Sequence, residues 1–112
     1  MSYDETLAQR VRRTLAGQGE IEERRMFGGL TFMLNGEMCC GVDKGRLMVR
    51  VLPEHQSELL RRPGARPMDF TGRPLKGFLF IDPVGFQDAK ALEWWLRQAV
   101  EFVLKPAKPG RN

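Results

Sequence analysis

The sequence predicts an α+β domain: an antiparallel sheet built on a three-strand meander and flanked by N- and C-terminal helices. Three observations carry this. Apolar residues recur at helical spacing near both ends of the chain, over residues 3–16 and again from about residue 87 onward. Between them, short strand-like runs are separated by the turn signals Asn35-Gly36 and Asp43-Lys44-Gly45. No helical stretch separates those runs, so the strands are expected to pair with their sequence neighbours and not through βαβ crossovers.

Ser2 and Glu5 stand three apart, the spacing of a capping box that satisfies the first free amides of a helix. Tyr3, Leu7, Val11 and Leu15, with Ala8 and Thr14, then form an amphipathic stripe, and Arg10, Arg12 and Arg13 fall off it. Gly17 and Gly19 permit a left-handed exit. Residues 20–27 read as a short strand leading into Gly28-Gly29, where glycine in a strand pattern marks a bulge or the close approach of another backbone. Residues 30–34, 37–42 and 46–51 are the meander. Asn35-Gly36 is its strongest hairpin signal, because both central positions of a type I′ turn need positive φ. Along the third strand Leu47, Val49 and Val51 share one face, and Arg46, Met48 and Arg50 the other. Of Met26, Met33, Met38 and Met48, half are expected to face the helices, and an uncovered outer half would suit dimerisation.

Pro53 fits a first helical position, and residues 53–62 read as a short helix stopped before Pro63. Residues 63–77 contain Pro63, Gly64, Pro67, Gly72, Pro74 and Gly77 and form the least regular part of the chain, with a short edge strand expected at Met68-Asp69-Phe70. Residues 78–81 are a strand with apolar residues on both faces, ended by Asp82-Pro83. Ala89, Leu92, Trp95, Leu96, Ala99, Phe102 and Val103 stripe a long last helix that stops before Pro106. Residues 1–104 are therefore expected to form a single domain, and residues 105–112 a flexible basic tail.

Composition narrows the function classes. The 112 residues are 42% apolar and 29% charged, as in ordinary globular proteins. No apolar run is long enough to span a bilayer, and the polar, acidic start does not resemble a secretory signal. Cys39 and Cys40 are adjacent and cannot cross-link distant parts of a fold, so a cytoplasmic placement is expected. The net charge of +4 gathers in Arg61, Arg62, Arg66, Arg73 and Lys76 and in the tail residues Lys105, Lys108 and Arg111. That is a basic loop and a basic tail, where dedicated nucleic-acid binders show a basic face on a folded element.

The chemistry-bearing residues do not converge. Gly28-Gly29 lacks the Lys and Ser/Thr of a P-loop and the spacing of a dinucleotide fingerprint, so a structural role is expected. A zinc site needs ligand pairs at two- to four-residue spacing, and the sequence offers two adjacent cysteines and His55 alone. Adjacent strand residues point to opposite faces, so one cysteine is expected in the core and the other outside. His55 sits beside Glu54 and Glu58 with no nucleophile motif, as a solvated histidine would. No catalytic residue, cofactor or metal is therefore expected. Trp95 belongs to the apolar stripe. Trp94, about 100° around the helix, falls at its edge and is a candidate partner anchor together with Arg61, Arg62, Arg66 and Arg73.

The chain resembles the N-terminal domain of the TfoX/Sxy family of competence regulators. The resemblance is carried by Arg25-Met26-Phe27-Gly28-Gly29, by Phe32-Met33-Leu34-Asn35-Gly36-Glu37-Met38, by residues 43–50, and by Trp94-Trp95 on the last helix, and it covers about residues 5–104. It implies an α+β domain with a helix-flanked antiparallel sheet, and a role in bacterial transcription control in which fuller members act with the cyclic-AMP receptor protein. Fuller members also carry a second, helical domain that these 112 residues do not contain, so a stand-alone short form is expected. In this family Met26, Phe27, Gly28, Gly29, Asn35 and Gly36 are motif positions expected to be structural. The resulting expectation is a non-enzymatic protein-interaction domain, with a homodimer formed through the sheet or the last helix. The alternatives are a nucleic-acid accessory binder using residues 61–76 and the tail, or a small-molecule-binding domain.

Overall fold

A computed structural model describes residues 3–26, 28–69 and 74–104. Helix α1 spans Glu5–Leu15 and is followed by strands β1 (Ile21–Met26), β2 (Gly29–Leu34), β3 (Glu37–Asp43) and β4 (Arg46–Arg50). A 3₁₀ turn at Pro53–His55 leads into the single-turn helix α2 (Gln56–Leu59). Strands β5 (Ala65–Asp69) and β6 (Pro74–Ile81), a second 3₁₀ turn at Pro83–Phe86 and helix α3 (Ala89–Leu104) complete the order. The sheet runs β1-β2-β3-β4-β6-β5 with every pair antiparallel. This is the predicted α+β class, with terminal helices flanking the strands. The meander extends to β1, and the final hairpin adds β5 as an edge.

The cap of α1 differs from the expected capping box. Asp4 is the N-cap, and its Oδ1 accepts from the Thr6 and Leu7 amides at 2.9 and 3.2 Å. Ser2 lies outside the described residues, as do Phe27, residues 70–73 and the tail. Tyr3 leaves the helical stripe and bridges to Lys44. The short helix expected over residues 53–62 is only a 3₁₀ turn and one α turn, and Leu59 is its buried anchor.

The hairpins show why the motif residues are needed. Asn35 and Gly36 take φ of 52° and 84°, the pair of positive values the type I′ turn requires. The Asn35 Oδ1 also accepts from the Glu20 amide at 2.9 Å. The double glycine is not a bulge. Gly28, at φ 77°, sits in the turn between β1 and β2, and Met26 pairs with Gly29. A Cβ on Gly29 would collide with the Val42 carbonyl oxygen, so the neighbouring strand β3 runs too close for any residue but glycine.

The bulge sits in β3 instead. Phe32 pairs with Cys40 and Met33 with Met38, which leaves Cys39 as the extra residue. An extra residue resets the inside–outside alternation of its strand. Cys39 and Cys40 are accordingly both buried beneath the helices, and neither lies on the outer face as alternation alone predicted. The Cys40 thiol is pushed well above its ordinary pKa, first by its hydrogen bond with Cys39 and then by burial.

The main core lies between the sheet and the helices. Leu7, Val11 and Leu15 of α1 and Leu92, Trp95, Leu96 and Ala99 of α3 cover Phe32, Leu34, Val42, Leu47, Val49, Leu79 and Ile81. Among the described residues no methionine belongs to this cluster. The pairing of β2 with β1 and β3 sets Met26, Met33 and Met38 on the opposite face, with Met48. The helix-facing positions are taken by Leu30, Phe32 and Leu34 one residue away, so the expected even division of methionines does not occur. On the outer face Met48, Met68 and Phe80 form a second, smaller buried cluster.

Candidate functional site

The candidate partner residues are positioned by the start of α3 and the segment after α2. Asp88 begins α3 by accepting the Ala91 amide on Oδ1 at 2.8 Å. The stripe Leu92, Trp95, Leu96 and Ala99 then faces the sheet. Trp94 is turned to the edge of that stripe and is half-buried. Its ring meets the Trp95 ring edge-on, with centroids 5.0 Å apart and an interplanar angle of 85°.

Arg62 comes from the other side. The Arg62 amide donates to the Leu59 carbonyl at 3.1 Å, and its own carbonyl accepts from Ala65 at 3.2 Å, so the turn from α2 into β5 holds the residue in place. Its guanidinium carbon lies 3.7 Å from the centroid of the Trp94 ring. This stacking puts a cation over an aromatic face and fixes both side chains at the surface.

The stacked pair divides two shallow clefts. One, of about 180 Å³, is lined by His55, Glu58, Leu59 and Gln98 together with Arg62 and Trp94. The other, of about 240 Å³, lies against Pro63, Val84, Gly85 and Ala91. Beside it, backbone hydrogen bonds join the turn at Gly64 to the second 3₁₀ turn: Asp82 donates to Gly64 and Gly85 to Asp82, each at 2.8 Å. Val84 is thereby presented at 58% exposure, the most exposed large apolar side chain among the described residues. The surface combines an aromatic plane, a guanidinium, an acid and an apolar rim.

The other predicted residues do not join it. Arg66 lies on β5 opposite Phe80, on the far face of the sheet, and its Nε pairs with the Asp82 carboxylate at 2.6 Å. Arg61 is exposed beside Arg62. Arg73 lies outside the described residues. Met26, Gly28, Gly29, Asn35 and Gly36 sit in the two hairpins and shape backbone, as described above. Sequence reading placed Trp94 at a stripe edge but missed its stacking on Arg62 and the exposure of Val84. A Val in a Pro-Val-Gly turn was the available signal, since no periodic element claims it. Among the described residues no group of three His, Cys, Asp or Glu is placed to hold a metal ion, and no helix is long and apolar enough to cross a membrane.

A family model for the TfoX N-terminal domain matches residues 13–103, a span that includes every part of this surface. No curated protein matches the chain.

Proposed function

The chain belongs to the TfoX N-terminal domain family, and from that premise we propose that it is an interaction domain of bacterial competence and transcription control that works by protein–protein contact. The family is one of regulator-like domains and is not a known enzyme family. The proposed contact surface is the Arg62–Trp94 pair with Val84 beside it. The observation that carries this reading is a half-buried Trp, already fixed by a stacked guanidinium, next to a Val exposed to 58%. Trp and Arg anchors with an apolar neighbour are the composition of interface centres, and pre-ordered side chains lower the entropic cost of docking. The nucleic-acid alternative has less support: Arg66 is engaged by Asp82, and Arg62 lies over Trp94.

The family resemblance names the first partner to test, the cognate cyclic-AMP receptor protein, with RNA polymerase second. In a calorimetric titration of the purified proteins, binding is expected. Val84→Asp and Trp94→Ala should each weaken it by about tenfold or more. Val84→Asp changes an exposed side chain and keeps the test free of folding defects. Absence of binding to both partners, or binding that ignores both substitutions, would sink the proposal.

A further inference from the structure

The sheet has two edges of different character. The β5 edge contains Pro67 and a register break between Pro67 and Asp69, features that blunt pairing. The β1 edge, Ile21-Glu22-Glu23-Arg24-Arg25-Met26, contains no proline or glycine, and its residues 22–25 are exposed. Among the described residues no strand lies beyond it.

The direction of its free backbone groups follows from its pairing with β2. The Asn35 amide donates to the Glu20 carbonyl at 2.8 Å, which makes that opposed pair a hydrogen-bonded one. Bonded and non-bonded pairs alternate along an antiparallel ladder. Glu22, Arg24 and Met26 therefore bond to β2, and Ile21, Glu23 and Arg25 turn their N–H and C=O groups outward.

We propose that β1 is a docking edge for a second copy of this chain, adding strand to strand across a two-fold axis normal to the sheet at Glu23. Such an axis keeps the helices of both copies on one side of a continuous sheet. It sets Ile21 opposite Arg25 and Glu23 opposite Glu23, so the outward backbone groups of one copy meet those of the other. On the outer face it sets Glu22 of each copy opposite Arg24 of the other, twice over, so that the Glu22–Arg24 pair each copy already holds, Nε to Oε2 at 3.1 Å, becomes half of an alternating cluster of four charges. Unlike charges directly opposed across two strands attract, and like charges repel. The central Glu23 side chains are each neutralised within their own copy, where the Arg12 guanidinium grips both carboxylate oxygens. Parallel pairing would instead stack like on like, and an axis at Arg24 would oppose two arginines. Charges on an edge ordinarily guard it against pairing. Here their order, two acids followed by two arginines, makes the edge complementary to itself in one antiparallel register.

The inference does not depend on the Trp94–Arg62 surface, which lies beyond the opposite side of the sheet order. Loss of partner binding and loss of self-association are measured separately. The test is sedimentation equilibrium of the whole chain at low salt, from micromolar to near-millimolar concentration. A reversible dimer is expected. Arg24→Glu and Glu22→Arg should each raise its Kd by about tenfold or more, since each turns both attractive pairs repulsive. The double variant E22R/R24E restores the opposition of unlike charges and should return within about threefold of the parent. An equimolar mixture of the two single variants should form a heterodimer. Hydrogen exchange gives the backbone readout: the Glu23 and Arg25 amides should slow as concentration rises, while the Arg24 amide is slow throughout. A chain that stays monomeric over the whole range overturns the proposal. So does a dimer indifferent to the single reversals, or a double variant no better than the singles.

Discussion

On one side of the sheet, Phe32, Leu34, Val42 and Leu47 lie under two long helices; on the other, Met48, Met68 and Phe80 lie under side chains. The first face is closed by backbone elements that bring their own apolar stripes. The second is closed in part by arginines. The Arg46 guanidinium carbon lies 3.6 Å from the Phe80 ring centroid, and that of Arg50, at the end of β4, lies between Phe78 at 5.6 Å and Phe102 of α3 at 4.3 Å. Long cationic side chains can cover apolar area with their stems and aromatic faces with their heads. The difference is one of what failure costs. Opening the helix face exposes a whole core, whereas opening the outer face disturbs a few rings and charges.

The largest expected effect tests that ordering directly. Phe32 and Met48 are both fully buried, one on each face. Phe32→Ala should lower stability by about 3–5 kcal/mol, because a large ring is removed from beneath the helices. Met48→Ala should cost about 2 kcal/mol, the low end for such a change, because the flexible neighbours Met68 and the arginine stems can settle into the space. Urea unfolding of the two variants decides it. Equal losses would mean that the outer cluster is as rigidly packed as the core.

Next in size is the roof itself. Arg46 Nη2 donates to Asp43 Oδ2 at 3.1 Å, and Asp43 is buried. Arg46→Met keeps an apolar stem over Phe80 but leaves that carboxylate without its cation. An expected loss of about 1–2 kcal/mol follows, mostly from the unpaired acid. Adding Asp43→Asn to Arg46→Met should recover part of it. If Arg46→Met is neutral, the arginine covers nothing that a methionine cannot, and the two faces differ less than their chemistry implies.

Legibility in the sequence follows the same division. The helix face was readable because α1, β4 and α3 each repeat one period long enough to register, and because Asn35-Gly36 demands its turn. The outer face was not. One extra residue at Cys39 moves both cysteines inward, and a bulge of one residue leaves no compositional trace. Pro74 and Gly77 read as loop punctuation, yet β6 begins at Pro74, which pairs with Asp69, and passes through Gly77 at φ 83° before residues 78–81 pair with β4. In the candidate site, Trp94 was legible from its angle on the helix, since 100° per residue is geometry. Its meeting with Arg62 was not, because that depends on how the irregular segment between α2 and β5 returns to the helix. The charge order of β1 was always visible, but its meaning required knowing that β1 is an edge and which of its amides point outward.

The smallest expected effect is also the one with the opposite sign. Thr31 is fully buried in β2, opposite Gly41 and Arg24, and its hydroxyl has no hydrogen-bond partner among the described residues. A buried hydroxyl left unsatisfied costs about 1–3 kcal/mol relative to one that is bonded or absent. Thr31→Val keeps the branched shape that suits a strand and removes only the polar atom. It should therefore raise stability by about 1 kcal/mol, a shift of several degrees in Tm for a domain this size. Paired with Phe32→Ala one residue away, it separates the two faces within a single strand: the even position loses stability on truncation, and the odd position gains it on losing an oxygen. A destabilised Thr31→Val would mean that the hydroxyl is satisfied, and that the outer face is held by a polar contact instead of tolerating an unmade one.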